Sequence, residues 1–176
     1  MFTISSAKRL FAVTAVLFPF DVYVYGQGIG WGAHSAFGRY VVTDLGGQFL
    51  LPHQLFELRG GFDTMSRIAL YAWLFAAALA LIATLYVLAT WVVEPPLSER
   101  RSDRAVGAAF LVAGGLFILS RALVYDYVLV GSSSDLNWFS VPIGAAYMLF
   151  VGLVFYRDLF QVGMNEAAAS STATEG

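Results

Sequence analysis

Three ionisable residues lie in stretches that are otherwise apolar, and they are the candidates for chemistry in this chain: Asp21, Arg121 and Asp126. An ionisable side chain near the centre of a membrane-spanning helix costs about 2.5–3.5 kcal/mol on insertion scales, so it is a functional candidate. Arg121 could bind an anionic group or a substrate carboxylate, while Asp21 or Asp126 tunes it or relays a proton. The alternative is a structural ion pair between Asp21 and Arg121, or an arginine that reaches the outer headgroups.

Other kinds of catalytic chemistry find no support in the residue types. The chain has no cysteine, which excludes disulfides, thiol nucleophiles, thiolate metal sites and iron–sulfur clusters. Neither a Gly-x-Ser-x-Gly nor a His-Glu-x-x-His motif occurs. We therefore expect a protein that is not an enzyme.

The two histidines, His34 and His53, both fall in a predicted loop. Haem in a helical bundle needs imidazoles that face each other from packed helices. A zinc site would need further ligands such as Asp44 or Glu57, and these residues show no recognisable spacing. The sequence therefore predicts neither a metal nor a cofactor.

The elements that position these residues are predicted to be membrane helices. The chain has 176 residues, of which 59% are hydrophobic and 12% charged, whereas soluble domains carry about 25% charged residues. The run from Ile68 to Val93 carries no charge and exceeds the roughly 20 residues that cross a bilayer. We expect an all-α integral membrane protein, an antiparallel four-helix transmembrane bundle, with spans at about residues 10–26, 68–93, 105–130 and 138–156.

The connections and ends complete this predicted domain, which covers residues 1–160. The first loop is long and glycine-rich, so it should be structured and extracytoplasmic, and Gln48–Arg59 is either a surface helix or an irregular cap. Residues 161–176 are a low-complexity tail, expected to be disordered and cytoplasmic. The first span could instead be a signal peptide, although its bulky aromatic residues argue against cleavage.

Small residues mark the third and fourth predicted spans and are candidates for helix packing. Such residues let helix backbones approach closely in lipid, either within the bundle or against a partner helix. The glycines with this predicted role are Gly107, Gly114, Gly115, Gly144 and Gly152.

The basic residues predict the orientation and the partners. Six of them lie on the side of the termini, and only three lie in the first loop, so the positive-inside rule places both termini in the cytoplasm. A net charge of −2 gives no support for nucleic-acid binding. The expected partners are the lipid bilayer of the cell membrane and either another membrane protein or a second copy of the chain.

Several short motifs carry a family resemblance: Lys8-Arg9-Leu10, Phe18-Pro19-Phe20, Ser102-Asp103-Arg104 and Val141-Pro142-Ile143-Gly144. Together with the glycine-rich outer loop, they make the chain resemble small haloarchaeal four-span membrane proteins of unknown function. The resemblance implies the four-span fold and no particular activity.

Two functional hypotheses follow. The leading one is a non-enzymatic accessory or scaffold subunit in the cytoplasmic membrane. The alternative is a small transporter, or an anion- or lipid-binding membrane protein, that acts as a homodimer through Arg121 and Asp21, since four spans are few for a transporter.

Overall fold

The computed structural model describes residues 4–25, 30–59, 64–93, 98–125, 131–133 and 138–159. The helices within these ranges are α1 Ile4–Leu17, α2 Pro52–Arg59, α3 Thr64–Ala89, α4 Glu99–Tyr125 and α5 Ile143–Tyr156. The strands are β1 Asp21–Tyr25, β2 Gly30–His34, β3 Arg39–Thr43, β4 Gly46–Leu50, β5 Gly131–Ser133 and β6 Trp138–Val141.

The six strands form one antiparallel sheet, and this sheet overturns the predicted all-α four-helix bundle. The strand order is β4-β3-β2-β1-β6-β5, and all five neighbouring pairs are antiparallel. The neighbouring strands β1 and β6 lie in parts of the sequence that are predicted to be membrane helices. The fold is therefore mixed, with helices packed beneath a sheet.

The predicted first and fourth spans each divide at a proline. In the first, helix α1 ends at Leu17 and strand β1 begins at Asp21, with Pro19 between them; in the fourth, Pro142 separates β6 from α5. Proline lacks an N–H donor and disfavours helix in the residue before it, so it ends or starts a helix. Helices α1 and α5 have 14 residues each, a length of about 21 Å against a bilayer core of about 30 Å.

Within the described residues, two helices are long and apolar enough to cross a membrane: Arg67–Ala89 in α3 and Glu99–Leu123 in α4. They correspond to the predicted second and third spans. The prediction of a protein with four spans is accordingly wrong by this test of length and composition. The predicted tail at 161–176 lies outside the described residues.

The long first loop contains strands β2, β3 and β4 and helix α2. The predicted surface helix at Gln48–Arg59 begins later than expected, because residues up to Leu50 belong to β4 and pair with β3. Helix α2 begins at Pro52, a position where proline loses no hydrogen bond. The Gln54 side chain accepts a 2.8 Å hydrogen bond from the Leu51 N–H and closes this helix start.

Helices α1 and α4 both pack against α3, and helix α5 packs against α1 and α4. Large side chains fill the interior; Phe110, Phe117, Met148 and Phe155 are all buried. The ring of Phe20, which lies between α1 and β1, stacks on Phe117 with centroids 4.3 Å apart. This contact fixes the start of the sheet on top of α4.

Candidate functional site

Four polar side chains meet where the sheet rests on α4: Asp21, His34, Ser140 and Arg121. Asp21 lies directly opposite His34 in the β1–β2 register, and Ser140 lies opposite Tyr23 in the β1–β6 register. Side chains that are directly opposite, or two residues apart on one strand, point to the same face of a sheet. The three strand residues therefore share the face that receives Arg121, and we call these four residues the polar cluster.

Ser140 connects the two charged residues of the polar cluster. The Nε of Arg121 donates to Ser140 Oγ at 2.9 Å, and its Nη2 donates to the Oγ and the carbonyl oxygen, both at 2.6 Å. The Ser140 hydroxyl donates to Asp21 Oδ1 at 3.0 Å, and Arg121 Nε lies 3.4 Å from the same oxygen. With Arg121 only 3% exposed and the other two fully buried, the pair is removed from solvent and bridged by hydrogen bonds.

The second oxygen of Asp21 faces His34. Asp21 Oδ2 is buried and accepts no hydrogen bond from the described residues, and His34 Nδ1 lies 3.6 Å away, slightly beyond hydrogen-bond distance. The imidazole is held between aromatic rings, with centroids 5.5 Å from Phe20 and 5.3 Å from Tyr23. A small shift of the ring would complete a hydrogen bond to the carboxylate.

The polar row continues across the sheet to β3. Arg39 pairs with His34 in the register; its Nε donates to the Tyr23 hydroxyl at 2.5 Å, and its guanidinium lies 4.6 Å from the centre of that ring. Gly32, opposite Tyr23, leaves room for the ring, since a methyl group there would overlap the Tyr23 hydroxyl. The inner face of the sheet is therefore polar and internally hydrogen-bonded.

The structure brings together two of the three predicted site residues, Asp21 and Arg121. Asp126 lies outside the described residues. Ser140 is not identified from the sequence, and His34 is predicted to lie in a loop. In the described part of the chain, no group of three or more His, Asp or Glu residues is arranged to hold a metal ion.

The predicted packing glycines differ in what surrounds them. A methyl group at Gly107 would overlap the backbone of Tyr156, and one at Gly152 would lie 2.9 Å from Leu111. At Gly114 the nearest neighbour would be Leu149, also at 2.9 Å. These three glycines lie where α4 meets α5.

The remaining two glycines form a contrast. A methyl group at Gly144 would overlap the carbonyl oxygen of Pro19, and the Phe20 carbonyl accepts a 3.2 Å hydrogen bond from the Ala145 N–H. A methyl group at Gly115 would meet nothing within 4 Å. Gly144 therefore joins the two helix–strand junctions, whereas Gly115 faces open space.

A second polar group lies at the opposite end of the helices, at the start of α4. Lys8 of α1 is 2.9 Å from Glu99 Oε1 and 2.5 Å from Asp103 Oδ2. Burial alone would lower the pKa of Lys8, but its hydrogen bonds to Asp103 and Glu99 outweigh burial and raise that pKa above its usual value. This ion pair fixes the N-terminal half of α1 beside the start of α4.

No protein-family model matches the chain, and no curated protein is significantly similar to it.

Proposed function

We propose that this chain is a non-enzymatic accessory or scaffold protein of the cytoplasmic membrane, held there by α3 and α4. The observation that carries the membrane placement is an apolar stripe on α3. Tyr71, Phe75, Ile82 and Leu85 are each more than half exposed, and their spacing places them on one side of the helix. Such a stripe would be unfavourable in water and favourable against lipid.

The neighbouring helices extend this apolar surface. Val112 and Leu119, seven residues apart on α4, and Phe150 on α5 are each about half exposed. These side chains lie on the outside of the helices, where a water-soluble protein has mostly polar residues. The surface around the helices therefore has the character of a lipid-facing one.

The charges support one orientation in the membrane. The connection from α3 to α4 is followed by Arg100, Arg101 and Arg104, which are all exposed. The contact of Lys8 with Glu99 and Asp103 places the start of α1 at the same end. By the positive-inside rule this end faces the cytoplasm, and the sheet then lies on the extracytoplasmic side.

The scaffold role rests on the outer face of the sheet. Val24 lies opposite both Trp31 and Phe139, and Trp31 meets Tyr40 edge-on with centroids 5.8 Å apart. All four side chains are substantially exposed, as is Phe49 opposite Tyr40. We call these five residues the outer sheet face; aromatic residues are enriched in the cores of protein interfaces.

The polar cluster supports a structural role more than ligand binding. The Nε and Nη2 donors of Arg121 are directed at Ser140, and its side chain is 1% exposed. A ligand anion would have to displace Ser140 to reach these donors. We therefore favour the scaffold over a transporter that uses Arg121 and Asp21.

The test of the scaffold role is native mass spectrometry of the chain extracted gently from its own membrane. We expect a complex of fixed composition, with either a second copy or another membrane protein, that dissociates in Trp31→Ser. The control is Leu45→Ser, which removes an exposed apolar side chain in the β3–β4 turn, away from the outer sheet face. A monomeric wild type, or equal loss of the complex in both variants, would overturn the scaffold role.

A further inference from the structure

A cavity of about 250 Å³ opens at the end of the helices that lies opposite the sheet. It is formed where the N-terminal half of α1 meets the end of α3, the start of α4 and the end of α5. Its lining is mixed: Arg9, Thr90 and Glu99 are polar, and Val87, Val106 and Phe155 are apolar.

Arg9 brings an unused hydrogen-bond donor to this cavity. Its Nε is buried and finds no acceptor among the described residues. Its guanidinium lies 5.2 Å from the centre of the Trp91 ring, a cation–π distance that holds the group in place. A buried donor without an acceptor is unfavourable, so an acceptor from a ligand would be favourable.

The charges around Arg9 determine which ligand suits it. Lys8, the neighbouring cation, is already engaged by Glu99 and Asp103. Among the described residues, no carboxylate pairs with Arg9 in this way, and a guanidinium is suited to bidentate binding of phosphate oxygens. The start of the 27-residue helix α4 lies beside the cavity, and its first turn already carries the carboxylate of Glu99.

The surroundings favour an amphiphile over a free ion. Trp91, Val92 and Val93 follow the end of α3 and are strongly exposed; Trp91 is 75% exposed. If α3 and α4 cross the membrane, these residues lie at the level of the lipid headgroups, where tryptophan is enriched. The apolar residues of the cavity lining, Val87, Val106 and Phe155, belong to the buried core between the helices.

We propose that this cavity binds the phosphate of a membrane phospholipid headgroup, with Arg9 as the principal donor. Arg9 donates hydrogen bonds to the phosphate oxygens, and the apolar lining contacts the apolar part of the lipid. This inference rests on the proposed placement of α3 and α4 in the membrane. The site is separate from the polar cluster at the other end of the helices.

The experiment measures lipid binding by the full chain in detergent, using native mass spectrometry and thermal unfolding. The probes are phosphatidylglycerol, diacylglycerol with the same acyl chains, and inorganic phosphate. We expect one tightly held phosphatidylglycerol per chain and a raised Tm, with neither effect from diacylglycerol. Arg9→Gln should weaken binding about tenfold or more, because it removes charged hydrogen bonds.

Two further variants keep the test decisive. Arg101→Gln removes an exposed arginine at the same helix end that does not line the cavity, and it should bind phosphatidylglycerol as the wild type does. Arg9→Lys keeps the charge over Trp91 and removes the Nε donor, so it should fold without lipid and still bind more weakly than the wild type. Wild-type binding in Arg9→Lys, or equal loss in Arg101→Gln, would overturn the proposal.

The remaining outcomes distinguish a lipid phosphate from a free phosphate, and they distinguish failure of the lipid site from failure of the proposed membrane placement. If inorganic phosphate raises the Tm as much as phosphatidylglycerol does, the site takes a free anion and the lipid proposal is wrong. The membrane placement is tested separately, by labelling single cysteines introduced at the two ends of α3. If phosphatidylglycerol does not bind while this labelling places the two ends of α3 on opposite sides of the membrane, only the lipid site is wrong. If that labelling fails, the membrane placement itself is wrong.

Discussion

Arg121 on α4 and Ser140 on β6 are joined by three hydrogen bonds of 2.6–2.9 Å, which include one to the backbone carbonyl of Ser140. The serine hydroxyl in turn donates to Asp21 on β1. A single helix residue therefore holds two neighbouring strands of the sheet. This link ties the sheet to the helix that we propose to span the membrane.

We expect Arg121→Gln to be strongly destabilising. The substitution leaves the Asp21 carboxylate buried and unpaired, and breaking a buried pair in this way costs about 3–5 kcal/mol. Each kcal/mol lowers the Tm by about 2–4 °C in a chain of this size. The measurement is thermal unfolding in detergent, with the exposed Arg101→Gln as the matched control, which should change the free energy of unfolding by less than about 0.5 kcal/mol.

A double variant tests whether the two charges are coupled. Adding Asp21→Asn to Arg121→Gln removes the uncompensated charge, so the double variant should be more stable than Arg121→Gln alone. Equal stability of the two would mean that Asp21 does not depend on Arg121. An Arg121→Gln variant as stable as Arg101→Gln would contradict the structural role of the polar cluster altogether.

Gly144 and Gly115 should respond in opposite directions to the same substitution. Gly144→Ala places a methyl group against the backbone of Pro19, which cannot move aside as a flexible side chain could, so we expect a loss of about 1–3 kcal/mol. Gly115→Ala meets nothing within 4 Å and replaces glycine in a helix interior, so we expect a gain of about 0.5–1 kcal/mol. Thermal unfolding of both variants beside the wild type measures the difference. Two variants that shift the Tm in the same direction would count against the packing of α5 on the α1–β1 junction.

The ion pair of Lys8 should make the free energy of unfolding fall as the pH rises through the alkaline range. The folded-state pKa of Lys8 is raised above its ordinary value of 10.5. A raised lysine pKa stabilises the folded state fully below the unfolded pKa, and this contribution is lost as the pH rises through the folded pKa. Lys8→Met should therefore be less stable than the wild type at neutral pH, and the difference should shrink above the unfolded value of 10.5.

The measurement for Lys8 is the Tm of wild type and Lys8→Met across the alkaline range. Taking the difference between the two proteins cancels the titration of tyrosines and other groups that both share. A difference that stays constant from neutral pH to well above 10.5 would show that the charge of Lys8 contributes nothing to stability.

The sequence predicted the elements whose signal is long and uniform. The run at Ile68–Val93 carries no charge and contains no glycine or proline, and it corresponds to helix α3. Asp21 and Arg121, for which the sequence analysis considers an ion pair, lie 3.4 Å apart in the structure. In both cases a property of single residues, apolarity or charge, was sufficient.

Strands β1 and β6 were not predicted, because their apolar residues lie next to those of helices α1 and α5 and continue the same apolar stretches of sequence. Asp21–Tyr25 (DVYVY) has the period-two pattern and the β-branched and aromatic residues of a strand, yet it directly follows an apolar helix. Asp21 and Tyr23 point inward, to Arg121 and Arg39 respectively, and the valines point outward, which is the reverse of an ordinary half-buried strand. The role of Ser140 depends on a register between strands more than a hundred residues apart, and local patterns do not contain it.

The most direct test of the central claim is thiol labelling of single-cysteine variants in intact cells. Because the chain has no cysteine, Leu45→Cys in the β3–β4 turn and Val92→Cys after α3 each carry one thiol; these positions are 94% and 87% exposed. A membrane-impermeant maleimide should label Leu45→Cys in intact cells and Val92→Cys only after permeabilisation. Equal labelling of both variants in intact cells would contradict the placement of α3 across the membrane.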